Sequence, residues 1–252
     1  MRQKYCIALA ITLGILLSAL AAQAAQPLSL PNVSLTIGGN ADAGKASTVI
    51  QLLLMLTVLS LAPAILLMMT SFTRIVVVLS LLRHAMGTQT MPPNQIIIGL
   101  AMFLTFFIMA PVWQKVNNEA LQPYYEERIS GEEAFALATV PVKDFLLKQT
   151  REKDLALFVK ISKEQRPEKP TDVSLPVLIP AFIISELKTA FQIGFLIFLP
   201  FFIIDIAVSS ILLSMGMMML PPIMISLPFK LLLFVLVDGW YLIVESLVKS
   251  FR

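Results

Sequence analysis

The stretch that decides the fold is LPVLIPAFIISELKTAFQIGFLIFLPFFIIDIAVSSILLSMGMMML, residues 175–220. It is almost continuously apolar, with Pro200 near its middle and charges only at Glu186, Lys188 and Asp205. A single helix rises about 1.5 Å per residue, so this stretch would be far longer than the bilayer core of about 30 Å. We therefore expect a membrane-embedded hairpin or a sharply bent helix.

The composition of the whole chain extends this interpretation to an integral membrane protein. Apolar residues make up 57% of the 252 residues and charged residues 14%, against about 45 to 50% and about 25% in soluble domains. The chain has 19 basic and 16 acidic residues, and 21 of these charges lie within residues 113–172. A single soluble globule is excluded. Acids cancel the bases of this block, so no basic stripe exists for nucleic acid.

The hydropathy pattern predicts an all-α protein of membrane-embedded helical hairpins with a small helical polar domain, assembling as an oligomeric pore. Four hydrophobic units are the minimum, and five or six crossings stay open. The predicted segments are a cleaved signal peptide at 1–24, a flexible tether at 25–48, a hydrophobic helical pair at 49–112, a periplasmic polar domain at 113–174, and a second hydrophobic hairpin with a methionine loop at 175–252.

The first segment has the three parts of a secretory signal. Arg2 and Lys4 are positive, a short apolar core follows, and Ala22 and Ala24 supply the small residues that precede a cleavage site. The alternative is an uncleaved anchor helix. A cleaved signal places the following residues outside the cytoplasm, and an even number of crossings then leaves the polar domain outside as well.

Local signals predict helices in the polar domain. Ser130 followed by Glu133 is a capping box, in which the serine side chain accepts a hydrogen bond from a backbone N–H of the first helical turn. Pro141 is typical of the first turn of a further helix. The polar domain is therefore predicted to contain several short helices.

Six ionisable residues lie inside the apolar units. Each costs roughly 2.5 to 3.5 kcal/mol at a bilayer centre, so they cannot all face lipid. They are Arg74, Glu186, Lys188, Asp205, Lys230 and Asp238. Glu186 and Lys188 are two residues apart and point to nearly opposite sides of a helix, so each needs a partner elsewhere. Either the charges join helices within one chain, or they lie in an assembly interface or a hydrated path.

Small residues support close helix packing near these charges. Ala181, Ser185 and Thr189 recur every four positions, which places them on one face of a helix. A helix with a small stripe and charges elsewhere favours several neighbours, and a homo-oligomer would supply them.

A methionine cluster follows this helix at Met215, Met217, Met218 and Met219. Unbranched thioethers are apolar but deformable, so a ring of them from several subunits could seal a passage and still yield to a polypeptide. The alternative is adaptable packing at a tight turn.

No catalytic or metal-binding pattern is present in the sequence. The only histidine is His84, the only cysteine is Cys6, and no Gly-rich phosphate loop or nucleophile elbow occurs. We therefore expect no enzyme activity, no metal and no cofactor.

Several motifs together resemble the FliP family of flagellar biosynthetic proteins. The motifs are TSFTR at 70–74, HAMG at 84–87, PPNQ at 92–95, PAFIISELKTAFQIG at 180–194, PFK at 228–230 and DGW at 238–240. The resemblance begins near Val49 and extends through the rest of the chain. The predicted signal and tether favour the flagellar branch over its injectisome relatives.

Membership in that family would imply a subunit of the type III secretion export gate. Several copies would assemble with two other membrane proteins into a helical pore, largely on the periplasmic side of the inner membrane, that passes unfolded flagellar subunits. The resemblance implies that Met217, Met218 and Met219 form the pore gasket. It also implies that Glu186, Asp205 and Lys230 lie between helices of neighbouring subunits, and that some apolar units are not surrounded by lipid.

A secondary transporter or proton-conducting membrane subunit is the alternative function. In it, Glu186, Asp205 and Asp238 would carry protons. The sequence shows no internal repeat and no paired broken helices in matching halves, which counts against this alternative.

Overall fold

The structure is a computed structural model that describes residues 43–88, 90–162, 169–217 and 220–251. The chain divides into two compact units, residues 1–55 and 56–252. The first helix, α1, is Ala43–Met68. Its first part is the described part of the first unit, and its remaining residues belong to the second unit. The predicted signal peptide, including Ala22 and Ala24, lies outside the described residues.

The described part of the second unit is helical and contains no strand, which confirms the all-α prediction. After α1 come α2, Phe72–Ala85; α3, Asn94–Val116; α4, Gly131–Gln149; α5, Glu152–Ser162; α6, Leu175–Ser214; α7, Pro222–Leu236; and α8, Gly239–Lys249. A π-helical turn at Asn117–Leu121 and an α-helical turn at Gln122–Tyr125 continue α3 into the polar region. A short 3₁₀ turn at Pro170–Asp172 precedes α6.

The apolar run after residue 49 is broken into two helices. Thr70 marks the break: its hydroxyl donates to the Leu67 carbonyl at 2.8 Å and accepts from the backbone N–H of Phe72 at 3.3 Å. These bonds satisfy backbone groups at the end of α1 and the start of α2. After the break, α2 is a separate helix with one face buried.

Helix α2 is the centre of the packing. Ile75, Val78, Leu79, Leu82 and Ala85 recur at helical spacing and are almost fully buried against α3 and α6. The close approach to α6 depends on Gly194, because a Cβ atom there would lie 2.3 Å from Leu81.

A second apolar cluster joins the polar region to the same long helix. Phe145 and Leu146 of α4 pack with Met109 of α3 and with Leu178 and Phe182 of α6. The polar region is therefore attached to the apolar helices through an apolar seam at the start of α6.

Helix α6 corrects one prediction. It is a single helix of 40 residues through both Pro180 and Pro200. Of the two forms expected for residues 175–220, the hairpin does not form, and the sharp bend stays a prediction. A proline removes one helical hydrogen bond, and apolar helices tolerate this loss when neighbouring groups satisfy the freed carbonyl. The chain reverses only after Met215, where Gly216 adopts a φ of +75°.

Two signals in the polar region had different outcomes. The Ser130 side chain accepts from the Glu133 backbone N–H at 3.2 Å, which confirms the predicted cap at the start of α4. Pro141 was expected to begin another helix, but it is buried inside α4 and the helix continues through it. The local preference of proline for a first turn did not decide the outcome, because the continuous helix buries Pro141 together with Phe145 and Leu146.

Three helical segments among the described residues are long and apolar enough to cross a membrane: Ile50–Met68, Asn94–Tyr125 and Leu175–Ser214. Helices α7 and α8 form a pair bent by 65°, which would count as a fourth span if it crosses as one unit. At the bend, Asp238 has a left-handed backbone, and a Cβ at Gly239 would lie 2.3 Å from the Phe234 ring. The bend is thus built into the local sequence.

Candidate functional site: buried charges and the methionine turn

Arg74 near the start of α2 is 2% exposed, and Glu186 of α6 is fully buried. The guanidinium Nε donates to Glu186 Oε2 at 3.0 Å, and Nη2 donates to Glu186 Oε1. This two-point contact uses the planar fork of arginine, a geometry that lysine cannot reproduce. The pair neutralises two of the six predicted intramembrane charges across α2 and α6.

Neutral polar groups complete the Arg74 environment. Nη2 also donates to Gln149 Oε1 at 2.9 Å, and Nη1 donates to the carbonyl and the hydroxyl of Ser250 at 2.8 and 3.0 Å. The ring of Phe251 lies 3.8 Å from the guanidinium carbon, a cation–π contact. Gln149, Ser250 and Phe251 were not identified from the sequence.

Lys230 of α7 is the second buried cation, with 3% exposure. Its ammonium donates to Asp205 Oδ2 of α6 at 2.6 Å and to the carbonyl of Ala85 at 3.3 Å. Ser226 donates to the other Asp205 oxygen at 2.6 Å. Ala85 is the last residue of α2, so the ammonium also lies at the negative end of that helix.

Both ion pairs form within one chain. This is the helix-joining interpretation that the sequence left open beside an assembly interface. Within this chain, Glu186 pairs with Arg74, and Asp205 pairs with Lys230. The placement of Glu186, Asp205 and Lys230 between helices of neighbouring subunits, which the family resemblance implies, stays a prediction.

Lys188 and Asp238 differ from the other four charges. Lys188 is exposed on α6, on the side away from the buried Glu186, as their spacing predicted. Asp238 is exposed at the bend between α7 and α8, with φ of 51° and ψ of 54°. Asp and Asn tolerate this conformation better than most residues, so Asp238 has a backbone role here.

A third polar network, missed from the sequence, joins the polar region to α6. Ser185 accepts from the backbone N–H of Arg151 at 3.1 Å and donates to Asp154 Oδ2 at 2.7 Å. Arg151 donates to the same oxygen at 2.6 Å. Burial raises the pKa of Asp154, but the hydrogen bonds from Ser185 and Arg151 and the charges of Arg151 and Lys188 outweigh it, so the pKa lies below its ordinary value.

The small residues of α6 are used within the chain. Ala181, Ser185 and Ala190 are fully buried. Gly194 is also buried, and it makes the close contact with Leu81 described above. The predicted small stripe therefore brings α6 close to its own neighbouring helices.

The methionine turn links α6 to α7. Met215 and Met217 are 66% and 39% exposed beside the left-handed Gly216. Pro221 and Pro222 begin the next helix. Met218 and Met219 lie outside the described residues, so the structure locates one of the three predicted gasket residues, Met217, on an exposed turn.

In the described ranges, no group of three or more histidine, cysteine or acidic residues is arranged to hold a metal ion. His84 Nδ1 lies 2.7 Å from the carbonyl of Ser80, one turn earlier on α2. It is a surface residue near the end of α2.

Known proteins resemble this chain over nearly all of its described length. The family model described as the FliP family matches residues 55–247. The flagellar biosynthetic protein FliP of Bacillus subtilis (strain 168) is 60% identical over 220 residues, which cover 87% of this chain and 100% of that protein.

Two further relatives carry the same name. The protein of Pectobacterium carotovorum subsp. carotovorum is 57% identical over 80% of this chain and 78% of its own length. That of Aquifex aeolicus (strain VF5) is 54% identical over 88% of this chain and 92% of its own length. The family match covers more than half of the chain, and these identities extend over 80 to 88% of this chain and 78 to 100% of each relative. The chain therefore belongs to the FliP family.

Proposed function

We propose that this protein is a pore-forming core subunit of the flagellar type III protein export gate. It lies in the bacterial inner membrane at the flagellar basal body, with its polar region on the periplasmic side. Several copies assemble with two other export-gate membrane proteins, and the pore passes unfolded flagellar subunits. Membership in a family whose members are named flagellar biosynthetic proteins supports the flagellar assignment.

One observation carries the proposal: the long helices expose apolar surface while their buried charges are neutralised inside the chain. In α1, Leu56 and Val58 are 61% and 66% exposed, and Phe106 of α3 and Phe195 of α6 are similarly exposed. Soluble monomers rarely expose apolar patches larger than a few hundred Å². Lipid or neighbouring subunits must therefore cover these apolar faces. Because Arg74 and Lys230 are paired with carboxylates inside the chain, these faces carry no unpaired charge from either site.

The methionine turn supports a seal at the pore. Its described residues are exposed at the end of α6, where copies arranged around an axis would bring their turns together. Thioether side chains would close the passage by packing and would deform around a polypeptide. We assign this role to Met217, Met218 and Met219.

The paired carboxylates support a structural role over proton transport. Glu186 accepts two hydrogen bonds from Arg74, Asp205 accepts one each from Lys230 and Ser226, and Asp238 is at a helix bend. A proton carrier must exchange its proton with water repeatedly, which a fixed ion pair opposes.

The decisive experiment replaces Met217, Met218 and Met219 together by alanine. The smaller side chains should leave the inner membrane leaky to small ions while export of flagellar subunits continues. Ion leak is measured in cells by a membrane-potential dye, and export by secreted flagellar protein.

A matched triple variant replaces three exposed methionines outside the turn, Met55, Met68 and Met224. It should leave the membrane tight. An unchanged leak in the turn variant, or an equal leak in both variants, contradicts the seal.

A further inference from the structure

The donor groups of Arg74 are fully used. Its five N–H groups meet five acceptors: two carboxylate oxygens of Glu186, the amide oxygen of Gln149, and the carbonyl and hydroxyl oxygens of Ser250. Each contributor comes from a different part of the chain: α6, the end of α4 and the turn after α8. The side chain therefore fixes these three parts relative to α2.

The turn after α8 contributes more than two acceptors. The centroid of the Phe251 ring lies 3.8 Å from the guanidinium carbon of Arg74. The backbone carbonyl of Phe251 accepts a hydrogen bond from Gln149 Nε2 at 3.2 Å. The same ring stacks on Phe145 of α4 at a centroid distance of 6.5 Å and an interplanar angle of 18°. Phe251 packs against both apolar clusters, the one around α2 and the one beneath the polar region.

The contacts of the polar region lie directly beside this turn. Gln149 ends α4, and two residues later Arg151 begins the network with Ser185 and Asp154. Ser185 and Glu186 are consecutive on α6, so one turn of that helix holds both the polar region and Arg74. A displacement of Ser250 and Phe251 would remove the contacts that Gln149 and Phe145 make with Phe251, and would leave both Nη1 hydrogens of Arg74 without acceptors.

We propose that Ser250 and Phe251 form a latch that closes over Arg74 and holds the polar region in a fixed position on the apolar helices. The latch couples α8 to α4 and α5, elements far apart in sequence. When it is closed, Gln149 and Phe145 are held; when α8 moves, the end of α4 and the start of α5 loosen. The inference concerns one chain and is independent of the pore.

Hydrogen exchange of the purified full-length protein in detergent tests the latch, with peptides from residues 145–162 as the readout. Phe251→Ala should raise their exchange rate severalfold, because the ring and its packing on Phe145 are lost. Phe251→Tyr keeps the ring and should exchange like the wild type. Lys249→Ala removes only the exposed pair with Glu245 and is the matched control at the same end of α8.

Two further variants keep the test decisive if Phe251→Ala does not fold. Phe251→Leu keeps apolar volume without an aromatic face, and Ser250→Ala removes one acceptor; both should raise exchange in the same peptides to a smaller extent.

Arg74→Lys should also raise the exchange rate of these peptides, and adding Phe251→Leu to Arg74→Lys should add little, because both changes open the same site. Unchanged exchange in residues 145–162 for Phe251→Ala and Phe251→Leu, or fully additive effects of Phe251→Leu and Arg74→Lys, would overturn the proposal.

Discussion

The Arg74 and Lys230 sites are both buried ion pairs on α6, and they differ in how completely the protein encloses them. At the first site, the exposed fractions of the two side chains are 2% for Arg74 and 0% for Glu186. At the second, they are 3% for Lys230 and 24% for Asp205. The first cation is surrounded by five protein acceptors, and the second by an aspartate and one helix-end carbonyl.

This difference separates a closed junction from a more open one. Arg74 joins four parts of the chain and leaves no donor for water or another subunit. Lys230 ties α7 to α6 and to the end of α2, while its partner Asp205 keeps part of its surface accessible. Charges near a bilayer are tolerated when they pair or reach a polar surrounding. Arg74 is tolerated because it is paired with Glu186. At the Lys230 site the charges are paired, and Asp205 is also accessible to a polar surrounding.

Removing one partner at the closed site should have the largest effect. Arg74→Met leaves the Glu186 carboxylate buried without a cation, and Glu186→Gln leaves the guanidinium without its counter-charge; each should cost about 3 to 5 kcal/mol of stability. Thermal unfolding in detergent and the amount of protein in the membrane measure the loss. The control Glu245→Gln breaks only an exposed pair on α8 and should change stability by about 0.5 kcal/mol or less. Comparable losses in all three variants would contradict the enclosed site.

The open site should be less sensitive. Lys230→Met removes a charged hydrogen bond to Asp205, but water can reach part of the remaining carboxylate, so we expect a loss of about 1.5 to 3 kcal/mol. The same unfolding measurement checks it. A loss as large as that of Arg74→Met would show that exposure does not distinguish the two sites.

A charge swap tests the pairing itself. Lys230→Glu places two carboxylates together and should abolish stable folding of the chain, and adding Asp205→Lys should restore part of it, as measured by the same unfolding in detergent. Glu186→Lys is the matched control, because Glu186 pairs with Arg74 and lies at the other site. Rescue by Glu186→Lys, or no rescue by Asp205→Lys, would assign Lys230 a different partner.

The sequence predicted the charged members of both sites and not their neutral ones. Arg74 and Glu186 were identified because an ion in an apolar run is costly wherever it lies. Gln149 and Ser250 have no such signal: they contact Arg74 across 75 and 176 residues, and neutral polar residues near the ends of helices are common. Only the folded structure shows which of them meets the arginine.

The helix class followed from periodicity, but the helix breaks did not. Pro141 is buried within α4 and Pro200 is exposed within α6, so neither proline marked the end of a helix as its local preference predicts. The break at Asp238 was missed because the residue was interpreted as an intramembrane charge. Asp followed by Gly is a turn signal, and this dipeptide could have predicted the bend between α7 and α8.

The hydrogen-bonded pair of Arg151 and Asp154 is more exposed to solvent than the Arg74 pair. Breaking it should have the smallest effect on stability. Its side chains are 32% and 16% exposed. The pKa of Asp154 is below its ordinary value despite the opposing effect of burial, because Ser185 and Arg151 bind the carboxylate and Lys188 adds a positive charge.

The sign of the pH dependence follows from that lowered pKa. The unfolded chain protonates this group near pH 3.9, so the contribution of Asp154 to stability is fully present above that pH and is lost as the pH falls through the lower pKa of the folded state. Asp154→Asn should therefore cost about 1 kcal/mol or less at neutral pH, and its difference from the wild type should shrink as the solution becomes acidic. Unfolding in detergent across this pH range measures the difference, with the exposed Asp144→Asn as control. A difference that grows on acidification would mean that Asp154 is more easily protonated in the folded protein, and the carboxylate would then not be the group that binds Ser185 and Arg151.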